Sequence, residues 1–240
     1  MKRRKKRISF FILILRKPWL SFAFLLLVLF IVNFIYQIYQ KPTEVISSFY
    51  AGQSSDLNGT WKRYKNLFIN NSTEHINAKT LASIAQVESA GQWAASPSWQ
   101  WKITDNWRKV FSPASSALGV MQITKGHQKS VLQHCQTESV KSKLCNNTSW
   151  WARLWPSHSI NLAAIYIDKT ISEIKRNSKS KINDEYLTEL AAIAHLCGEQ
   201  KAKLYAKSGF KFKSFKKCGN HNAVRYVNRV KRLRQRLNRL

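Results

Sequence analysis

The chain opens with an apolar run unlike anything after it. From Trp19 to Tyr36 there is no charged residue, and Ser21 and Asn33 are the only strongly polar members. Such a run predicts one helix long enough to cross a bilayer. Downstream the pattern becomes amphipathic at helical spacing. Trp61, Tyr64, Leu67 and Phe68 predict a short helix, and LASIAQVESAG places Leu81, Ile84, Ala85 and Glu88 on one face of another. Leu162, Ile165, Tyr166 and Ile174 predict a helix over about 159–175, and Leu187, Leu190, Ala191 and Ala194 one over about 184–197. The closing stretch RYVNRVKRLRQRLNRL sets Tyr226, Val230, Leu233, Leu237 and Leu240 on a stripe surrounded by arginine. Segment 91–117 holds Pro97, Pro113 and the tryptophans at 93, 99, 101 and 107, and reads as irregular. Nothing reads as a long strand, so the expected class is mainly α.

Charge gives the apolar run a direction. Eight Lys and Arg residues precede it, whereas only Lys41 and Glu44 lie just behind it, so the basic flank stays cytoplasmic and the remainder is exported. The expected organisation is a cytoplasmic N-terminus over 1–18, a transmembrane anchor over 19–39, a polar stalk over 40–59 and one domain over 60–240. A cleaved signal peptide is the rival reading. QIYQKPTEV offers no small-residue cleavage site, which favours an uncleaved anchor. All 12 acidic residues and 32 of the 40 basic ones follow the span, leaving the exported part at a formal charge of +20. Nucleic acid is the usual partner for that balance, but an exported domain meets anionic lipid head groups and acidic cell-wall polymers instead. A solvated basic surface without a specific partner is the plain alternative.

Cys135, Cys145, Cys197 and Cys218 all lie beyond the span, where disulfides form. Three pairings are open; Cys135 with Cys145 and Cys197 with Cys218 closes the shortest loops. Zinc held with His134, His195 or His221 is the competing reading, but the spacing fits no common zinc pattern. No metal or cofactor is expected.

Glu88 carries the candidate chemistry. A carboxyl on the apolar face of a helix sits where low dielectric disfavours its charged form, and a general acid working near neutral pH needs that raised pKa. The phrase SALGVMQIT follows about thirty residues later. Read alone, Glu88 is an ordinary helix-end carboxylate, Met121 a core residue, and His195 a satisfied interior histidine. Asp105, the one acidic residue between Glu88 and Gly119, reads as a loop cap.

The order of signals resembles the soluble lytic transglycosylase family, whose catalytic domain has the lysozyme fold. Glu88 and Ser89 match its helix-ending catalytic Glu-Ser. Gly119, Val120, Met121 and Gln122 match its G-L-M-Q; Ala194, His195, Leu196, Cys197 and Gly198 stand at its A-Y-N-A-G; Tyr226 and Val227 match a Tyr-Val pair opening the last helix. The resemblance spans roughly Thr60 to Leu233. It implies a lysozyme-like domain cleaving peptidoglycan between N-acetylmuramic acid and N-acetylglucosamine, with Glu88 as the one catalytic carboxyl and a 1,6-anhydro product. Ser89, Gly119, Met121, Gln122, His195 and Tyr226 then line the substrate side. His195 and Leu196 depart from the family's Tyr-Asn, and His195 is expected to take the tyrosine's place and donate a hydrogen bond to Glu88. Two other readings stay open: a goose-lysozyme-type hydrolase in which Asp105 is essential, and a non-catalytic glycan-binding or secretion-assembly protein on the same fold. The implied location is the bacterial inner membrane, with the domain periplasmic.

Overall fold

A computed structural model describes residues 17–49, 54–137, 150–177 and 182–240. In chain order it holds α1 (Pro18–Gln40), α2 (Pro42–Phe49), α3 (Leu57–Asn70), α4 (Ala78–Ser89), β1 (Trp99–Trp101), β2 (Phe111–Pro113) and α5 (Lys125–Thr137). There follow α6 (Pro156–Arg176), α7 (Asp184–Cys197), α8 (Glu199–Lys207), β3 (Lys217–Cys218), β4 (His221–Asn222) and α9 (Ala223–Asn238). The expected mainly helical class is observed, with one apolar helix, α1, long enough to cross a membrane. Contacts divide the chain into two compact units, one of residues through Val45 with Ser98–Ala114, the other of Ile46–Pro97 with Ser115–Leu240.

In the first unit, β1 and β2 form an antiparallel hairpin pairing Trp99 with Pro113, Gln100 with Ser112 and Trp101 with Phe111. The segment read as irregular is so over most of its length, with this short hairpin inside it. The alternation Trp-Gln-Trp puts both indoles on one face, where aromatic side chains favour a pleated surface, and Pro113 ends the pairing as a residue without an N–H must. Those indoles and Phe111 meet Phe30 and Phe34 of α1. Within 40–59, Pro42–Phe49 is helical and Leu57 already begins α3.

The second unit carries the main core. Side-chain caps start its helices: Asp56 accepts from the Gly59 amide at 2.7 Å, Asn77 from Thr80 at 2.9 Å, Asn183 from Tyr186 at 2.8 Å and Asn222 from Arg225 at 2.9 Å. Helix α7 is the innermost, with Leu190 through Ala194 fully buried; its run of alanines lets α4, α6 and α9 approach closely. Helix α9 is basic outside and buries Val227, Val230 and Leu237 on the inside. Helix α8 went unread in the sequence. Gly198 separates it from α7, and Glu199, Lys203 and Lys207 give it a mostly charged surface.

Cys197 and Cys218 are joined by a disulfide, Cα to Cα 5.2 Å, as the shortest-loop pairing expects. Cys135 is also disulfide-bonded; Cys145 lies outside the described residues. Three of the four thiols of the zinc alternative are thereby consumed, and among the described residues no cluster of three His, Cys, Asp or Glu side chains could hold a metal.

Candidate active site

Helix α4 delivers Glu88 one residue before its end. Ala90 then turns left-handed at φ 50° and Gly91 follows at φ 73°, where an added Cβ would lie 2.2 Å from the Thr60 hydroxyl. Ser89 points inward and donates to the carbonyls of Ala85 at 3.1 Å and Val120 at 2.8 Å, tying the helix end to the GVMQ loop. Ser89 is thus a brace behind the acid.

The loop itself is tightly fixed. Gly119 sits at φ 77°, and a Cβ there would come within 2.1 Å of the Arg153 carbonyl, so only glycine fits. Its amide donates to the Ala95 carbonyl at 2.9 Å. The Met121 side chain is fully buried and its amide donates to the Ser159 hydroxyl at 3.3 Å, so the methionine is core. Gln122 adopts φ 48°, a conformation a residue with a side chain reaches at a cost, and its amide nitrogen donates to the carbonyls of Ala95 at 2.8 Å and Gly119 at 2.9 Å. Arg153 clamps the same loop by donating to the carbonyls of Ser116 and Ile123.

Around Glu88 the structure gathers Tyr226, His195, His221 and Arg229. The Tyr226 hydroxyl, from the first turn of α9, donates to Glu88 Oε1. His195, on α7, brings Nε2 to 3.6 Å from the same oxygen, too far for a hydrogen bond. The expected donor is therefore not His195. The phenol arrives from α9 rather than α7, and a buried imidazole stands behind it. The Glu88 side chain is 17 % exposed. Burial raises its carboxyl from the model-compound value of 4.5 to about 7, against the Tyr226 hydrogen bond and the charges of His221 and Arg229, all of which favour the ionised form. Burial and the Glu88 charge in turn push the Tyr226 phenol well above its ordinary range.

His195 is pressed down to about 4 by burial, opposed by a backbone hydrogen bond with Met121, so it is neutral wherever the acid works. His127, on α5, went unnoticed in the sequence. Its ring lies 4.4 Å from that of Tyr166 and 6.1 Å from that of His195, and burial takes it also to about 4. The signal that could have found it is its place one turn after GVMQ, on the inner face of the helix that loop begins.

The arrangement is a single carboxyl poised as a proton donor. Tyr226 occupies Oε1, which leaves Oε2 to carry the proton, and none of the groups acting on Glu88 is a carboxylate. Asp105 belongs to the hairpin unit and accepts from the neighbouring Thr104 hydroxyl at 3.3 Å; the backbone amides of this loop go instead to Thr104, which accepts from Asn106, and to Asn106, which accepts from Arg108. Beside the GVMQ loop, Ala94, Leu118 and Leu154 form a small apolar cluster flanked by Trp93 and Trp151. Trp93 stacks on Trp155, ring centroids 6.5 Å apart, and Trp155 remains 56 % exposed.

A lysozyme-like helical domain presenting one desolvated glutamate defines a class of glycan-cleaving domains. The transglycosylase SLT domain family matches residues 65–216, well over half of the chain, and the protein belongs to it. Membership carries an activity of the lytic transglycosylase type directed at peptidoglycan. No curated relative matches the chain.

Proposed function

We propose that this protein is a membrane-anchored lytic transglycosylase cleaving the β-1,4 bond between N-acetylmuramic acid and N-acetylglucosamine and leaving 1,6-anhydro ends. The observation that carries this reading is the Glu88 carboxyl, raised to about 7, holding a tyrosine on one oxygen and no second carboxylate among its partners. Glycoside hydrolysis ordinarily divides its work between two carboxyl groups, one as acid and one as nucleophile or as base for water. One carboxyl suffices when the attacking oxygen belongs to the substrate. Glu88 Oε2 gives its proton to the leaving glycosidic oxygen; the resulting carboxylate, stabilised by Tyr226, then takes the proton of the sugar's C6 hydroxyl as that oxygen closes on C1. The nucleophile is already tethered, so no water has to be ordered.

Gln122 and the backbone of Gly119 line the substrate side in this reading, and Trp93, Trp151 and Trp155 offer flat apolar faces to sugar rings. Ser89, Met121 and His195 act from behind, holding the loop and the acid in place. Helix α1 anchors the domain in the bacterial inner membrane with its basic flank cytoplasmic, residues 40–59 space it from the bilayer, and the domain works in the periplasm. Its basic surface suits anionic lipids or acidic wall polymers.

The test is product analysis. Purified sacculi are digested with the full chain in detergent and the fragments weighed by mass spectrometry. Anhydro-muropeptides are expected. Reducing ends would replace this reading with that of a hydrolase, and an absence of fragments with that of a glycan-binding protein.

A further inference from the structure

The hairpin unit has a surface that the proposed reaction does not use. Trp101 is 67 % exposed, Ile103 110 % and Trp107 47 %, three large apolar side chains within seven residues. Between the hairpin and α1 lies a cleft of about 660 Å³ lined by Leu26, Leu29, Phe30, Trp101, Trp107 and Phe111. Water is poor company for such a surface.

The contacts with α1 fix the level at which this surface lies. Trp107 meets Tyr36 with ring centroids 5.2 Å apart, Trp99 meets Phe34 at 6.1 Å, and Trp101 and Phe111 meet Phe30 at 5.7 and 5.5 Å. From Trp99 to Trp101 the strand thus descends about one helical turn, roughly 5–6 Å, towards the N-terminal end of α1. If Trp19 marks one membrane interface, Phe30 to Gln37 lie about 16–27 Å beyond it, in the far half of a hydrocarbon core about 30 Å thick. Whatever packs on those residues shares their depth.

The side-chain N–H groups of Asn33 and Gln37 in the span are placed accordingly, while among the described residues their carbonyl oxygens are buried without a protein donor. Asn33 Nδ2 donates to the Trp107 carbonyl at 2.6 Å and Gln37 Nε2 to the Arg108 carbonyl at 2.5 Å. Each bond gives a helix amide a protein acceptor and a hairpin carbonyl a protein donor, at a depth where lipid supplies neither. The hairpin closes its own backbone too, with Lys102 N to Val110 O at 2.8 Å. Lys102, Arg108 and Lys109 outweigh Asp105 in charge, and long basic side chains can run along an apolar surface to reach phosphate.

We propose that the Trp99–Pro113 hairpin is a second membrane-embedded element, seated in the outer leaflet beside α1. A phospholipid acyl chain fills the cleft, and Arg108 and Lys109, at the level of Gln37, reach the head-group phosphates. The proposal rests on the reading of α1 as a membrane anchor, and it commits to lipid because the cleft is continuous with the lipid-facing side of that helix. Three strand residues on each side leave few edge groups to satisfy, which limits the cost of that depth.

The experiment uses the full chain in nanodiscs of phosphatidylethanolamine and phosphatidylglycerol. Among the described residues no cysteine is a free thiol, so single spin labels can be attached to Ile103→Cys, to Val28→Cys on α1, and to Ile69→Cys on α3, all at exposed positions. Power saturation compares oxygen, which concentrates in lipid, with a nickel chelate, which stays in water. Labels at 28 and 103 are expected to favour oxygen and the label at 69 the nickel chelate. A label at 28 in lipid with one at 103 in water would overturn the embedded hairpin and leave the anchor standing; labels at both in water would overturn the anchor and the hairpin together. Phospholipids brominated on the acyl chain supply an independent measurement. Their quenching of tryptophan emission should fall in Trp101→Phe, and unchanged quenching would remove the acyl chain from the cleft.

Discussion

Two glutamates in this domain have nearly the same surroundings and opposite fates. Glu189, on α7, is buried and accepts a hydrogen bond from the Tyr205 hydroxyl at 2.6 Å; Glu88, on α4, is nearly buried and accepts one from Tyr226. The difference is a cation. Lys231 places its ammonium 2.7 Å from Glu189 and 2.6 Å from Glu185, whereas among the described residues no lysine or arginine forms an ion pair with Glu88, Arg229 acting on it only through its charge. A buried carboxyl with an ammonium beside it ties helices together. One that accepts from a phenol and feels the charges of His221 and Arg229 without pairing with either is raised by burial to about 7, the value the proposed proton donor needs.

The largest expected effect comes from exchanging the roles by substitution. Glu88→Gln keeps the shape and removes the proton donor, so release of muropeptides from sacculi should fall about 10³-fold, within the range general acid catalysis supplies. Glu189→Gln should leave that rate within a few-fold of the wild type. Equal losses in the two variants would end the distinction between them.

Tyr226 sharpens the contrast. Its hydrogen bond favours the carboxylate, so Tyr226→Phe should raise the Glu88 pKa further and slow the second, base-catalysed half of the reaction, lowering the rate about tenfold. The wild-type rate should decline about tenfold per pH unit above 7, where Glu88 loses its proton, and that limb should move to higher pH in the variant. His195, neutral down to about 4, should impose no limb between pH 5 and 7. A limb in that interval that disappears in His195→Asn would return the imidazole to the chemistry.

Stability should run against activity. Native Glu88 holds its proton up to about 7 and the unfolded carboxyl only up to about 4.5, so the folded state loses ground as pH rises through that window, by about 3 kcal/mol once complete. Glu88→Gln abolishes that slope and should be the more stable protein at pH 8 by up to that amount, with little difference at pH 4. His127 and His195 act in the opposite sense. Their folded values near 4 lie below the unfolded 6.5, so their contribution is lost as pH falls through 6.5 towards 4. Urea denaturation of both proteins across pH 4–8 measures the two slopes.

The smallest effect belongs to the structural glutamate. Glu189→Gln leaves Lys231 its second partner, Glu185, and should cost about 1–2 kcal/mol in the same denaturation experiment.

Much of this was legible in the residues, because the signals are local. The apolar face of α4 places Glu88 inward, and period alone marks α6, α7 and α9. What escaped has non-local causes. Helix α8 is stabilised by Lys203 bridging Glu173 of α6 and its own Glu199, partners 30 residues apart in one case, which no windowed pattern reports. The hairpin's strands are three residues each, too short for alternation to register, and their aromatic face is answered by a helix some seventy residues earlier. In the site, the motif correspondence led to His195 as the donor to Glu88. Which of two helices brings its hydroxyl into reach is a matter of packing angle, and packing chose α9.

Gly119 and Gln122 lie three residues apart in one turn, yet a saturating substitution library would describe them in different languages. At 119 the obstacle is the Arg153 carbonyl, 2.1 Å from any Cβ, so alanine and tryptophan should fail alike and the profile should be flat. At 122 the obstacle is a left-handed backbone joined to two side-chain hydrogen bonds, so the profile should be graded. Asparagine and glycine, which accept φ 48°, should retain folding and lose grip on Ala95, while β-branched residues fall to the bottom.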